Sequence, residues 1–139
     1  MSTIKQISVF LENRSGRLAD FSKVLSDAKV NIQTLSIADT EDFGILRTIT
    51  DNNNLAIQEL RKNGFNTSIT ELVGFEVPDK PGEMAKVLKV LDDAKINISY
   101  LYSFALKDGA GAVILIRVPD NEKALKVLKD NNVKLASYE

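Results

Sequence analysis

The chain contains no cysteine and no histidine in 139 residues. The first absence removes disulfides, iron–sulfur sites and thiol chemistry. The second removes the commonest transition-metal ligand and the commonest general base. An excess of one charge is also missing: eighteen basic residues stand against nineteen acidic ones, a net charge of −1. That balance gives no electrostatic pull toward nucleic acid or an anionic membrane. No apolar run approaches the roughly 20 residues that cross a bilayer. Glycine-rich phosphate loops of the Walker or dinucleotide type are absent. Met1-Ser2-Thr3-Ile4-Lys5 runs straight into an alternating segment where no signal sequence fits, so a cytoplasmic protein is expected.

What the chain does contain, it contains twice. Glu12-Asn13-Arg14-Ser15-Gly16-Arg17-Leu18-Ala19 and the residues up to Asn31-Ile32 align without a gap on Pro78-Asp79-Lys80-Pro81-Gly82-Glu83-Met84-Ala85 and the residues up to Asn97-Ile98, at an offset of 66 positions. A repeat has to be settled before any other assignment, because missing it misassigns the fold. Each copy reads as a polar turn, a glycine, an amphipathic helix and a strand.

In the first copy Ile7, Val9 and Leu11 alternate with polar neighbours as a strand. Leu18, Phe21, Val24, Leu25 and Ala28 form a helical stripe, with Ser15 or Asn13 as its N-cap. Val30 to Ala38 predicts a second strand whose apolar phase changes between Ile32 and Leu35, which suggests a bulge or twist. A turn at Thr40–Phe43 leads to a third strand over Gly44–Thr50. Leu55, Ala56 and Leu60 mark a second helix that ends at Asn63-Gly64, and Phe65, Thr67 and Ile69 supply a fourth strand. Strand-helix-strand-strand-helix-strand is the ferredoxin-like plan.

The second copy follows without a linker, with the boundary near Leu72 and Gly74 as its flexible point. Residues 1–72 and 73–139 are therefore expected as two small domains. Pro81 fits an early helical position. Ile96 to Leu106 predicts a long alternating strand, Lys107-Asp108-Gly109 a hairpin, and Val133 to Tyr138 a closing strand. The returning strand, Val113 to Val118, is apolar on both sides. In a two-layer unit that requires a cover over the second face: the sister repeat, another subunit, or both.

The two strand-to-helix turns are the candidate sites. A helix start leaves four N–H groups without partners and carries partial positive charge, and glycine there lets a ligand approach the backbone. Asn13 can donate and accept, and Arg14 adds charge, so an amino acid carboxylate suits the place. A turn glycine and a capping asparagine would look the same. Asn31 and Asn97 are equally consistent with turn formers or with groups aimed at the turn of a neighbouring unit. No enzyme is expected. Glu12, Asp39, Glu41 and Asp42 lie near loops without the partner or spacing for acid–base work, and serine–histidine or cysteine–histidine pairs cannot exist here. The third strands carry none of the aromatics on which RNA-binding modules of this topology stack bases.

With those markers in hand, the sequence resembles the ACT-domain family, in particular small proteins made of two such domains. The residues that carry the resemblance are Asn13-Arg14-Ser15-Gly16-Arg17-Leu18 with Asn31-Ile32, and Asp79-Lys80-Pro81-Gly82-Glu83-Met84 with Asn97-Ile98. It implies an α+β fold of two tandem ferredoxin-like βαββαβ units, with antiparallel sheets and helices on one face. It also implies a non-catalytic sensor without cofactor or metal, which binds a small amino acid where two domains meet and acts as a homodimer or on a separate regulated protein. In serine-binding members an asparagine in the turn and another opening the second strand hold the ligand. Asn13 and Asn31 match them, as do Asp79 and Asn97 in the second copy. Those members also carry a histidine where this chain has Leu11 and Val77, which argues against serine. Asp79 would repel a carboxylate, so it faces an ammonium or marks a weakened site. The competing expectation is a structural or protein-interaction module with no small-molecule ligand.

Overall fold

The computed structural model describes residues 3–12, 14–39, 43–106 and 109–136. Among them the chain runs β1 (Ile4–Glu12), α1 (Arg17–Asp27), β2 (Ile32–Asp39), β3 (Phe43–Thr50), α2 (Asn53–Lys62), β4 (Asn66–Pro78), α3 (Glu83–Asp93), β5 (Tyr100–Ala105), β6 (Gly111–Arg117), α4 (Asn121–Asp130) and β7 (Lys134–Leu135). This is an α+β fold of two tandem ferredoxin-like units. One unit is Lys5–Thr70, and the other is Glu71–Glu139 together with Met1–Ile4.

In the first unit β3 lies between β1 and β2, antiparallel to both. Alternation puts Ile7, Val9 and Leu11 of β1 and Leu46 of β3 on the face that α1 and α2 cover with Phe21, Leu25, Ala56 and Leu60. The phase change in β2 is a bulge, with the register slipping between Ile32 and Thr34. Such a slip frees backbone groups that must find partners. Thr34 turns inward and accepts the Ile49 N–H at 3.0 Å, while its own carbonyl accepts the Thr48 hydroxyl at 2.7 Å. The helix end at Asn63-Gly64 forms as expected, with Asn63 capping α2 and Gly64 at φ 83°.

The second unit repeats the plan. β4 pairs with β6 and β7, and β6 with β5. Val73, Phe75 and Val77 meet Val87, Leu91, Ile114, Ile116, Ala124, Leu125 and Leu128 in its core.

Several expectations need correction. Ser15 is not the N-cap of α1: the cap position is Gly16, left-handed at φ 91°, with no side-chain cap bond. Asn13 itself lies outside the described residues, as do Thr40 to Asp42, Lys107, Asp108 and Ser137 to Glu139. Pro81 is not helical. It precedes Gly82, which caps α3 at φ 87°. The long strand read from Ile96 begins only at Tyr100. Ile96 and Ile98 pack on the second core from irregular backbone, so burial rather than strand pairing sets their alternation. The expected cover over the second side of β6 is present, since Val113 and Leu115 are buried within the single chain. Gly74 is no hinge either. It sits inside β4, paired with Leu115.

Candidate functional site

β1 ends at Glu12, and α1 starts five residues later at Arg17. Between them the chain turns tightly, with the Arg14 N–H on the Glu12 carbonyl at 2.8 Å. Only glycine adopts the left-handed φ of Gly16 at no cost, and from there α1 begins with the Asp20 N–H on the Gly16 carbonyl at 2.9 Å. Gly16 has no side chain with which to cap the helix, so beyond the long Arg17 N–H to Arg14 carbonyl contact at 3.5 Å its first-turn N–H groups have no capping acceptor among the described residues.

Beside this turn lies a cleft of about 350 Å³, lined by Leu11, Glu12, Arg14, Arg17, Leu18, Ile37 and Gly44. The strand register explains why such distant residues share it. Leu11 pairs with Gly44, which pairs with Asp39 two residues beyond Ile37. Arg14 and Glu12 form an exposed ion pair at 3.3 Å.

Arg17 is different. Its side chain is only 14% exposed, and the nearest acid among the described residues, Asp20, is 3.8 Å away. The guanidinium carbon stands 4.2 Å over the Phe65 ring, and Phe65 in turn meets Phe21 edge-on at 6.3 Å. Nε is buried without an acceptor among the described residues. A guanidinium held on one face by an aromatic ring keeps its planar edge for a carboxylate.

The structure brings together only part of the residues expected at the first turn. Arg14, Arg17 and Leu18 line the cleft; Ser15 and Gly16 form the exposed turn beside it. Asn31 and Ile32 stand at the opposite end of the same sheet, where Ile32 pairs with Thr50. There Asn31 is tied to Asp51, its N–H on the carboxylate at 2.9 Å and its carbonyl taking the Asp51 N–H at 3.0 Å.

The second unit shows the same separation. Asp79, Lys80 and Gly82 follow the Pro78 end of β4, which pairs with Gly111, whereas Asn97 and Ile98 precede Tyr100, which pairs with Arg117. Glu83 pairs with Lys86 at 3.2 Å, and Met84 packs on the core. A second cleft of about 310 Å³ runs along α3, with Glu83, Val87, Val133 and Lys134 in its wall. Sequence reasoning missed Leu11, Glu12, Ile37 and Gly44. Glu12 adjoins the turn, but Ile37 and Gly44 arrive through the pairing of three strands and leave no local signal.

A family model described as an ACT domain pair matches residues 2–139. The chain belongs to the ACT-domain family. The ACT pair is similar to a protein of Bacteroides thetaiotaomicron of known crystal structure, at 41% identity over 97% of this chain and 92% of that one, with a TM-score of 0.92. It shares its fold with the regulatory subunit of aspartate kinase from Thermus thermophilus, in a ligand-free form, at 14% identity over 94% and 93% of the two chains and a TM-score of 0.64. Aspartate kinase from Synechocystis also carries the fold, at 17% identity and a TM-score of 0.60, with 99% of this chain covering 28% of that one. A search of curated proteins gives no match. Among the described residues of this ACT pair, no helix is long and apolar enough to cross a membrane.

Proposed function

We propose that this ACT pair is a non-catalytic regulatory protein of the cytoplasm that binds a small amino acid. The observation that carries the reading is the start of α1: a glycine-opened helix with no side-chain cap among the described residues, beside a cleft whose buried Arg17 finds no acid closer than 3.8 Å among them. Backbone donors and a guanidinium suit a carboxylate, Glu12 suits an ammonium, and Leu11, Leu18 and Ile37 suit carbon. Regulation follows if the ligand binds two arrangements of the protein, or of a homodimer or partner complex, with different affinity. The family and the regulatory-subunit relative support that role.

A second reading, a protein-interaction module without ligand, draws on the exposed Leu35 and Ile37 of the edge strand β2. Thermal denaturation of the full chain with each of the twenty amino acids separates the two. A binder gains stability with concentration, about 2.7 kcal/mol at a hundredfold excess over Kd. A melting temperature unmoved by every amino acid contradicts the sensor reading and leaves the interaction module.

A further inference from the structure

The two turns are alike in backbone and opposite in charge. Gly16 and Gly82 adopt the same left-handed conformation, φ 91° and 87°, and open helices of the same length. The side chains around them differ as a set. Arg17 at the first position of α1 becomes Glu83 at the first position of α3. Phe21, four residues on, becomes Val87. Phe65, whose N–H bonds the Leu60 carbonyl at 3.0 Å just past α2, becomes Val133, whose N–H bonds the Leu128 carbonyl at 3.0 Å just past α4. The first unit thus stacks a cation on one ring that a second ring meets edge-on, where the second unit has an acid and two valines. All three replacements line the second cleft.

The charge balance follows. In the second cleft every charge has a partner, Lys134 on Glu76 at 3.3 Å and Lys86 on Glu83 at 3.2 Å. Among the described residues of the first cleft, Arg14 and Arg17 face one wall acid, Glu12, which Arg14 already engages. Arg17 is left with Asp20 at 3.8 Å. A mostly buried guanidinium so poorly matched gains most from a bidentate carboxylate. An anion brought to the start of α3 would meet Glu83 instead.

We infer that each chain binds a single amino acid with an aliphatic side chain, at the first turn only, with its carboxylate on Arg17 and its side chain against Leu11, Leu18 and Ile37. This rests on the amino-acid-binding reading and adds which turn, which anchor and which class of ligand. The ammonium lies toward Glu12. Gly44 packs closely beside Ile37, where a Cβ would stand 3.3 Å from Ile37 Cγ2.

Calorimetric titration of the full chain with leucine, isoleucine, valine, glutamate, lysine and phenylalanine tests the inference. At least one of the three aliphatic amino acids is expected to bind at one molecule per chain and at least tenfold more tightly than the other three. 3-Methylbutylamine, which has leucine's side chain and ammonium without the carboxylate, is expected to bind at least tenfold more weakly than leucine, and this comparison needs no variant. Arg17→Gln, checked for folding by circular dichroism, is expected to lose at least tenfold in affinity. Two molecules per chain, a preference for a charged or aromatic amino acid, or a folded Arg17→Gln with full affinity would overturn the inference while leaving the sensor reading intact. No heat or melting shift with any amino acid would overturn both.

Discussion

Phe21→Ala is expected to cost the first unit about 3–5 kcal/mol, the range for deleting a fully buried aromatic ring. Phe21 has no exposed surface and lies among Ile7, Val9, Leu25, Leu46 and Leu60. Its ring also meets Phe65 edge-on at 6.3 Å and an interplanar angle of 79°, a geometry worth about 0.5–1.5 kcal/mol beyond burial. A unit of about 70 residues has only a modest core to draw on, so that loss is a large share of its stability. Urea denaturation should show a much lower midpoint. A loss below about 1 kcal/mol would mean that the ring is not packed as described. Phe65 loses its support in the same variant, and Arg17 rests on Phe65, so ligand affinity should fall even where the variant remains folded.

Gly74→Val acts in the opposite way, by overfilling. A Cβ at Gly74 would stand 3.3 Å from Leu115 Cδ2 and 3.3 Å from the Ala136 Cβ, and would overlap Ile4 Cδ1. Ile4 and Leu115 have no exposed surface, and Ala136 is buried. No neighbour can move into solvent, and interiors are too densely packed to absorb the extra volume. Overpacking typically costs about 1–3 kcal/mol, and a β-branched residue belongs at the upper end. Gly74→Ala should cost less, because its single methyl group displaces only the terminal carbon of Ile4 and adds no further volume against Leu115 and Ala136. Thermal melts of the two variants rank them. Equal stability of Gly74→Val and the parent chain would contradict the close approach.

The duplicated stretches make much of the fold legible in the sequence. Polar turn, glycine, stripe and strand recur in order, and hydrophobic periodicity reports helices and strands well where one face is buried. Even the bulge in β2 showed, because a slip of one residue reverses which side chains face the core. Other features depended on tertiary detail. Gly74 reads as a soft boundary, yet its role comes from Ile4, Leu115 and Ala136, which are far away in sequence. Ile96 and Ile98 alternate like a strand because they enter the core, although their backbone pairs with no neighbour as a ladder.

The site was legible to a similar degree. Arg14, Arg17 and Leu18 stand out as residues of a helix start, and they do share one cleft. Asn31 reads as a turn former or as a group aimed at the turn of a neighbouring unit; within its own unit β2 begins at the far end of the sheet from Gly44 and Leu11. The ring beneath Arg17 is Phe65, 48 positions away, and no local pattern announces that contact. The different fates of the two turns lie in such pairings, since Glu83, Val87 and Val133 replace a cation and two rings only when taken together.

The most direct measurement is an amide proton–nitrogen NMR titration of the full chain with leucine, isoleucine and valine in turn. Binding at the first turn predicts shifts concentrated at residues 11–18 and at Ile37 and Gly44, with Glu76 to Val90 and Asn131 to Lys134 unmoved. Shifts centred on the second cleft, or none with any of the three, would contradict it.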